Sequence, residues 1–193
     1  MAAPTYNPGT LGGVFASGTS LGASKQLGTL IDLTAAWEGQ LHCKMQTGAS
    51  VSATAGVAWG VYHAYASTTI TGTVNAGATT IPVASTTGLQ VGQAIGLKQA
   101  GASVGEIVTI SAISGSNLTV GATINSYANN DLVYQIEQTE SYRVQPGGTN
   151  GSYSANSVYS KELYLPQSKY YIKATNQDAT NAVTIEATLD TLT

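Results

Sequence analysis

Gln40-Leu41-His42-Cys43-Lys44-Met45-Gln46 alternates polar and apolar residues without a break, which is the two-residue period of a strand with one buried face. Leu41, Cys43 and Met45 face inward in that reading, and His42 and Lys44 face solvent. Ala58 to Tyr65 puts Trp59, Val61, His63 and Tyr65 on one face, while Gly60 and the alanines leave the other face thin. The Thr, Ser, Gly and Ala between these runs suit a hairpin connection. Strand patterns return at 140–145, 158–165 and 169–174, with the loop Pro146-Gly147-Gly148-Thr149-Asn150-Gly151-Ser152 after the first. The last run, Asn181 to Asp190, alternates strictly with Val183, Ile185, Ala187 and Leu189 inward.

Between the early and late strands the texture differs. From Thr73 to Ile95 the chain is a series of very short apolar runs punctuated by glycine, followed by Gly105 to Ile113, a Ser114-Gly115-Ser116-Asn117 turn, Leu118-Thr119-Val120 and Asp131 to Ile136. Short strands at regular spacing predict a small barrel or curled sheet, with Pro82 at an edge or bulge where no ladder donor is required. Thr80 to Val83 followed by Gly92 to Ile95 echoes Asn117 to Val120 followed by Asn130 to Val133, and two copies are too few for a solenoid. Neither flanking strand set closes a sandwich alone, but together they make one. The expected fold is all-β: a discontinuous antiparallel β-sandwich over 30–70 and 137–193, with a small β-barrel inserted at 71–136. Residues 1–29 carry Gly9, Gly12, Gly13, Gly18, Gly22 and Gly28 without a sustained period, and are expected to be an extended N-terminal arm. Phe15, the one phenylalanine, would anchor that arm on a neighbour.

Composition narrows the function. Seven Lys/Arg and ten Asp/Glu make 9% of the chain, where about 25% is usual. With 42% apolar residues and a net charge of −3, disorder through charge repulsion is excluded. Seven scattered cations do not form the basic patch that nucleic acid requires, so no nucleic-acid partner is expected. The N-terminus has no basic region followed by an apolar core of the secretory kind, and no apolar stretch approaches a membrane span; synthesis in the cytoplasm and no membrane partner are the expectation. One cysteine, Cys43, excludes an internal disulfide framework and a cysteine-based zinc site.

Catalytic chemistry finds little support. His42 and His63 lie on strands, and the all-β pattern offers no strand-to-helix turn that would present a nucleophilic serine, so no nucleophilic triad is expected. Cys43 faces inward and its neighbours His42 and Lys44 face outward, an arrangement that does not activate a thiol. Asp32, Glu38, Glu106, Asp131, Glu137, Glu140, Asp178 and Asp190 are dispersed, and Glu162 and Glu186 alternate outward beside Lys161 and Thr184; no pair has glycosidase spacing and no Asp-x-Asp loop signals calcium. No catalytic, metal or cofactor residue is nominated. The aromatic set is more informative: eleven tyrosines stand against one phenylalanine, with Tyr142, Tyr153, Tyr159, Tyr164, Tyr170 and Tyr171 all in the C-terminal third. Tyrosine provides rigid area with a polar tip, which suits interfaces and sugar-binding surfaces as well as sandwich strands. Phe15, Trp59, Tyr62, Tyr153, Tyr159 and Tyr170 are the candidate interface residues.

The run Asn75 to Ile95, with Gly105-Glu106 and Val108 to Val120, resembles a small β-barrel module that recurs in structural proteins of tailed bacteriophages. The flanking sandwich, ending in the Val183 to Leu189 strand, is similar to head-decoration and other virion proteins carrying that module. The resemblance covers about a third of the chain and rests largely on turn chemistry. It implies a non-enzymatic capsid decoration or cement protein on the head surface, a homotrimer partnered by the major capsid protein and by copies of itself. The alternative is a tail-fibre or receptor-binding module whose Trp59 and tyrosines stack on host glycans. A tail-associated hydrolase is the third reading, and it lacks a carboxylate pair.

Overall fold

The computed structural model describes residues 6–7, 13–50, 55–102, 104–143 and 153–192. Among the described residues thirteen strands follow one another, with no helix. They are β1 (Tyr6–Asn7), β2 (Gly13–Leu21), β3 (Gln26–Asp32), β4 (Glu38–Thr47) and β5 (Val57–Thr69), then β6 (Thr80–Pro82), β7 (Ala94–Lys98), β8 (Gly105–Ser114) and β9 (Asn117–Val120), and finally β10 (Leu132–Arg143), β11 (Val158–Pro166), β12 (Lys169–Asn176) and β13 (Val183–Leu192).

Five strands form one antiparallel sheet, in which β13 lies between β4 on one side and both β1 and β2 on the other, and β11 forms the far edge. The predicted alternation sets its register: Leu41, Cys43 and Met45 of β4 stand opposite Leu189, Ala187 and Ile185 of β13, so both strands turn their apolar sets to the same face. The other eight strands run in the order β3-β12-β5-β10-β7-β8-β9-β6. Leu41, Met45, Trp59, Ile172 and Leu189 are among the side chains that fill the core between the two sheets. The sandwich and the curled insertion are thus both present.

The N-terminal arm is corrected in part. β2 pairs with β13 from Leu21↔Val183 to Gly13↔Thr188, and β3 pairs with β12 along its whole length, so residues 13–32 belong to the sandwich. Phe15 is 1% exposed and its ring lies 5.9 Å from that of Trp59. The period was hidden because β2 is irregular: its register with β13 shifts on both sides of Ala187, and Gly18 sits at φ 75°. Each bulge moves the following side chains to the opposite face and erases the alternation. Of the 1–29 segment, residues 1–5 and 8–12 lie outside the described residues.

The insertion grows out of the sandwich sheet without a break in hydrogen bonding. β10 continues from β5 to pair with β7, and β7, β8, β9 and β6 follow in turn. Ile70, Ile81, Ile95, Leu97, Ile110 and Val133 belong to a core of its own. Between this core and that of the sandwich lies a third, made by Tyr62, Ala64, Tyr134, Ile136 and Tyr171, with Leu30 and Ile107 against it. Strands from both parts contribute to it, because the sheet curls until β8 comes back beside β3, where the Ile107 amide reaches Oε1 of Gln26 at 3.5 Å. Tyr171 is the rivet of this junction. Its hydroxyl donates to the Leu97 carbonyl at 2.6 Å, and its side chain lies so close to Gly28, Gly96 and Gly105 that a methyl group on any of them would overlap the ring or the hydroxyl. Three strands supply glycine where one aromatic ring passes, which accounts for glycine inside otherwise regular strands.

Candidate functional site

Most of the aromatic residues singled out from sequence lie inside the chain. Phe15, Trp59 and Tyr170 are buried in the sandwich core and Tyr62 in the junction core. Tyr153 is buried edge-on against half-buried Tyr159 at 5.2 Å, and the Tyr159 hydroxyl accepts the Ser154 amide at 2.7 Å. Tyr170 stacks on His63 at 4.9 Å and donates to the Pro166 carbonyl at 2.9 Å. Rings with a polar tip suit the rim of a thin sandwich, where the hydroxyl finds a carbonyl or amide at the sheet edge. Among the described side chains, the rings most open to solvent are others: Trp37 at 60%, Tyr65 at 51% and Tyr164 at 71%.

The titratable groups are held in structural pairs. Cys43 is buried, and burial pushes its thiol far above the usual range, into the inert form. On the outer face of the smaller sheet, His42 has Glu162 Oε1 3.3 Å from Nδ1 and Asp190 Oδ2 3.2 Å from Nε2. The two carboxylates meet opposite ring nitrogens and do not converge on a common point. Lys44 and Ser17 both donate to Glu186 Oε2 at 3.0 Å, and the Lys44 hydrogen bond is the main cause holding that carboxyl below its ordinary value. Inside the insertion, Glu106 is 1% exposed and accepts the amides of Ile124 and Asn125 and the Tyr127 hydroxyl. Asp131 accepts the amides of Ala100 and Ala128. These carboxylates fasten turns. Among the described residues no group of three His, Cys, Asp or Glu side chains could hold a metal ion.

One end of the sandwich gathers exposed aromatic and polar groups around two turns. Between β3 and β4, the Thr34 amide and hydroxyl both donate to Asp32 Oδ1, at 3.0 and 2.6 Å, and Lys169 pairs with Asp32 Oδ2 at 2.9 Å. The Thr34 hydroxyl is the main cause of the lowered Asp32 carboxyl, with Lys169 adding to it against desolvation. The Leu33 amide bonds to the Ser168 carbonyl at 2.8 Å and Gln167 Nε2 to the Thr34 carbonyl at 2.7 Å, which ties this turn to the β11–β12 turn. Trp37 stands at the outer end, and with Ala35, Ala36 and Gln167 it lines an open cleft of about 320 Å³. Ser168 Oγ lies 3.1 Å from His63 Nδ1, and on the same strand Tyr65 donates to Glu137 at 2.8 Å. The strand patterns passed over Trp37 because it precedes the alternation that begins at Gln40; its signal is a large ring in a Thr-Ala-Ala turn with no apolar partner in sequence.

The fold and this surface define a class: an all-β protein of two antiparallel sheets, one of which curls into a half-barrel insertion, with no helix among the described residues long and apolar enough to cross a membrane. No family model matches the chain, and no curated protein matches it. Among solved structures, an alignment with the VP16-VP17 complex of the two major capsid proteins of bacteriophage P23-77 covers 92% of this chain and 94% of that chain, at 10% identity and a TM-score of 0.18. A second, with the T13 viral particle of IBDV, covers 99% of this chain and 39% of that one, at 11% identity and a TM-score of 0.16. Superpositions at that level do not define a shared fold.

Proposed function

We propose that the chain is a non-enzymatic structural protein of a tailed-bacteriophage particle, a decoration or cement subunit that binds the assembled head as a homotrimer. The observation that carries this reading is the state of its few charges. Of ten acidic residues, Glu106, Asp131 and Asp178 are buried, and Asp32 and Glu186 lie against Lys169 and Lys44. Little unbalanced charge is left to keep copies apart, and a strand surface of Thr, Ser, Gly and Ala is inexpensive to desolvate on assembly. The resemblance of 75–120 to a phage structural module points the same way. We assign the contact with the shell or with neighbouring copies to β11, the edge strand of its sheet, where Val158 and Tyr164 are exposed. Imaging of purified particles tests the proposal through the position and copy number of the protein: density in groups of three on the outer shell is expected, and particles that lack the protein overturn it.

A further inference from the structure

We propose that the cleft beside Trp37 binds a neutral sugar ring. Three features select that ligand class. The indole is the largest exposed apolar group at this end of the molecule, and its turn is fixed by the Asp32, Thr34, Ser168 and Gln167 hydrogen bonds, so the backbone that carries the ring needs no ordering on binding. An exposed indole of this kind takes the C–H face of a pyranose, an apolar surface rimmed by hydroxyls, as it takes other flat amphipathic groups. The cleft of about 320 Å³ stands at the small end of ligand sites, room for one ring and not for a large cofactor.

Polar chemistry narrows the class further. None of the lining residues Ala35, Ala36, Trp37 and Gln167 is charged, and the nearby Asp32 carboxylate is neutralised by Lys169, so an anion such as a phosphate finds no cation to hold it. Gln167 spends an amide hydrogen on the Thr34 carbonyl, which fixes the plane of the amide and leaves its Oε1 to accept a hydroxyl. A quaternary ammonium would need several rings around it, and one ring lines the cleft. A protein hot spot needs a surrounding apolar ring to exclude water, whereas the residues beside Trp37 that reach solvent are Thr34, Ala35, Glu38 and Gln167. The inference is independent of where the protein sits in a particle, and its failure would leave the structural role intact.

The protein holds two tryptophans, and Trp59 is buried, so fluorescence quenched by iodide belongs to Trp37. The full chain is titrated with glucose, galactose and N-acetylglucosamine and with the disaccharides cellobiose, lactose and chitobiose. At least one is expected to protect the quenchable emission with a Kd of about millimolar, in keeping with a small ligand held by one ring and a few hydrogen bonds. Trp37→Ala removes the quenchable emission, so its binding is followed by NMR shifts of the turn, and affinity should fall at least ~10-fold with circular dichroism unchanged. Gln167→Ala should weaken binding ~2- to 10-fold, the loss of one hydrogen bond. Quenching that no sugar alters overturns the proposal. So does emission that is shielded in concentrated protein and released on dilution, which would assign the ring to a second copy.

Discussion

Tyr171→Phe tests whether sandwich and insertion are one cooperative unit. The side chain is fully buried, and its hydroxyl spans from β12 to the Leu97 carbonyl of β7, with the Glu106 carbonyl of β8 at 3.3 Å. Removing it leaves the ring in its glycine slot and strips a buried carbonyl of a donor, at a cost of about 1–3 kcal/mol. Gly105→Ala attacks the same slot from the other side. The new methyl would overlap the Leu97 carbonyl and the Gly28 carbonyl as well as the Tyr171 hydroxyl, and two of those three are backbone that cannot swing aside. Its cost should exceed that of Tyr171→Phe, at about 3 kcal/mol or more. The assay is equilibrium urea unfolding followed by two probes. Neither tryptophan lies in the 71–136 insertion, so the emission of buried Trp59 reports the sandwich, while circular dichroism reports all strands. Both transitions should move together to lower urea. A Tyr171→Phe midpoint within error of the parent, or a shift in dichroism with no shift in Trp59 emission, would refute the shared core.

Three further expectations follow from the buried groups. Burial, with the Glu106 carboxylate adding to it, raises the Tyr127 hydroxyl far above its ordinary value, and burial does the same for Tyr171. In the unfolded chain both ionise near pH 10, so their contribution is fully present below about pH 10 and is lost as pH rises beyond it; tyrosinate absorbance should appear together with unfolding, and Tyr127→Phe should flatten the alkaline slope. Glu106→Ala leaves two backbone amides and the Tyr127 hydroxyl without their acceptor and should cost about 3 kcal/mol, read as a lowered thermal midpoint, whereas Glu137→Ala, whose exposed carboxylate holds only Tyr65, should change it little. Replacing 71–131 by a short Gly/Ser linker should leave the sandwich core able to unfold cooperatively, at a lower midpoint and with dye-binding apolar surface, because Tyr62 and Tyr171 lose the strands that cover them; a non-cooperative transition would show that the sandwich cannot stand without the insertion.

Regular alternation proved legible and irregular alternation did not. β4 and β13 read directly from sequence because every second side chain from Leu41 to Met45 and from Val183 to Leu189 enters one core. β2 did not, since its bulges against β13 carry Phe15 and Leu21 to the interior without a constant period. The insertion was visible through its turns, Gly77, Gly88, Gly92 and Gly115 all adopting positive φ, but its attachment was not. The junction depends on Gly28, Gly96 and Gly105 meeting one ring from a strand late in the chain, a coincidence of distant positions that no local pattern carries. The same limit hid the surface. Trp59 and Trp37 look equally available in a sequence, and only the sheet order decides that Trp59 faces Phe15 while Trp37 closes a solvent-facing turn.

The composition therefore has two sources. The tyrosine bias belongs largely to the interior: the curled sheet leaves a junction where rings must fill space while their hydroxyls reach strand carbonyls, as Tyr171 does at Leu97, and phenylalanine at such a position would leave an acceptor unmatched. The shortage of charge belongs to the exterior and is deeper than a count of residues suggests. Where carboxylates do occur, they fasten turns in the interior, as Glu106 and Asp131 do, or lie beside a cation on the sheet face, as Glu186 does beside Lys44. A surface with few charges, some of them matched within the chain as Lys44–Glu186 and Lys169–Asp32 are, gains little repulsion between copies and little salt-dependent attraction to a charged partner. If shape and apolar contact at β11 hold the protein in place, raising the salt concentration should not release it from a particle, whereas Tyr164→Ala should; release by salt with Tyr164→Ala still bound would place the contact elsewhere.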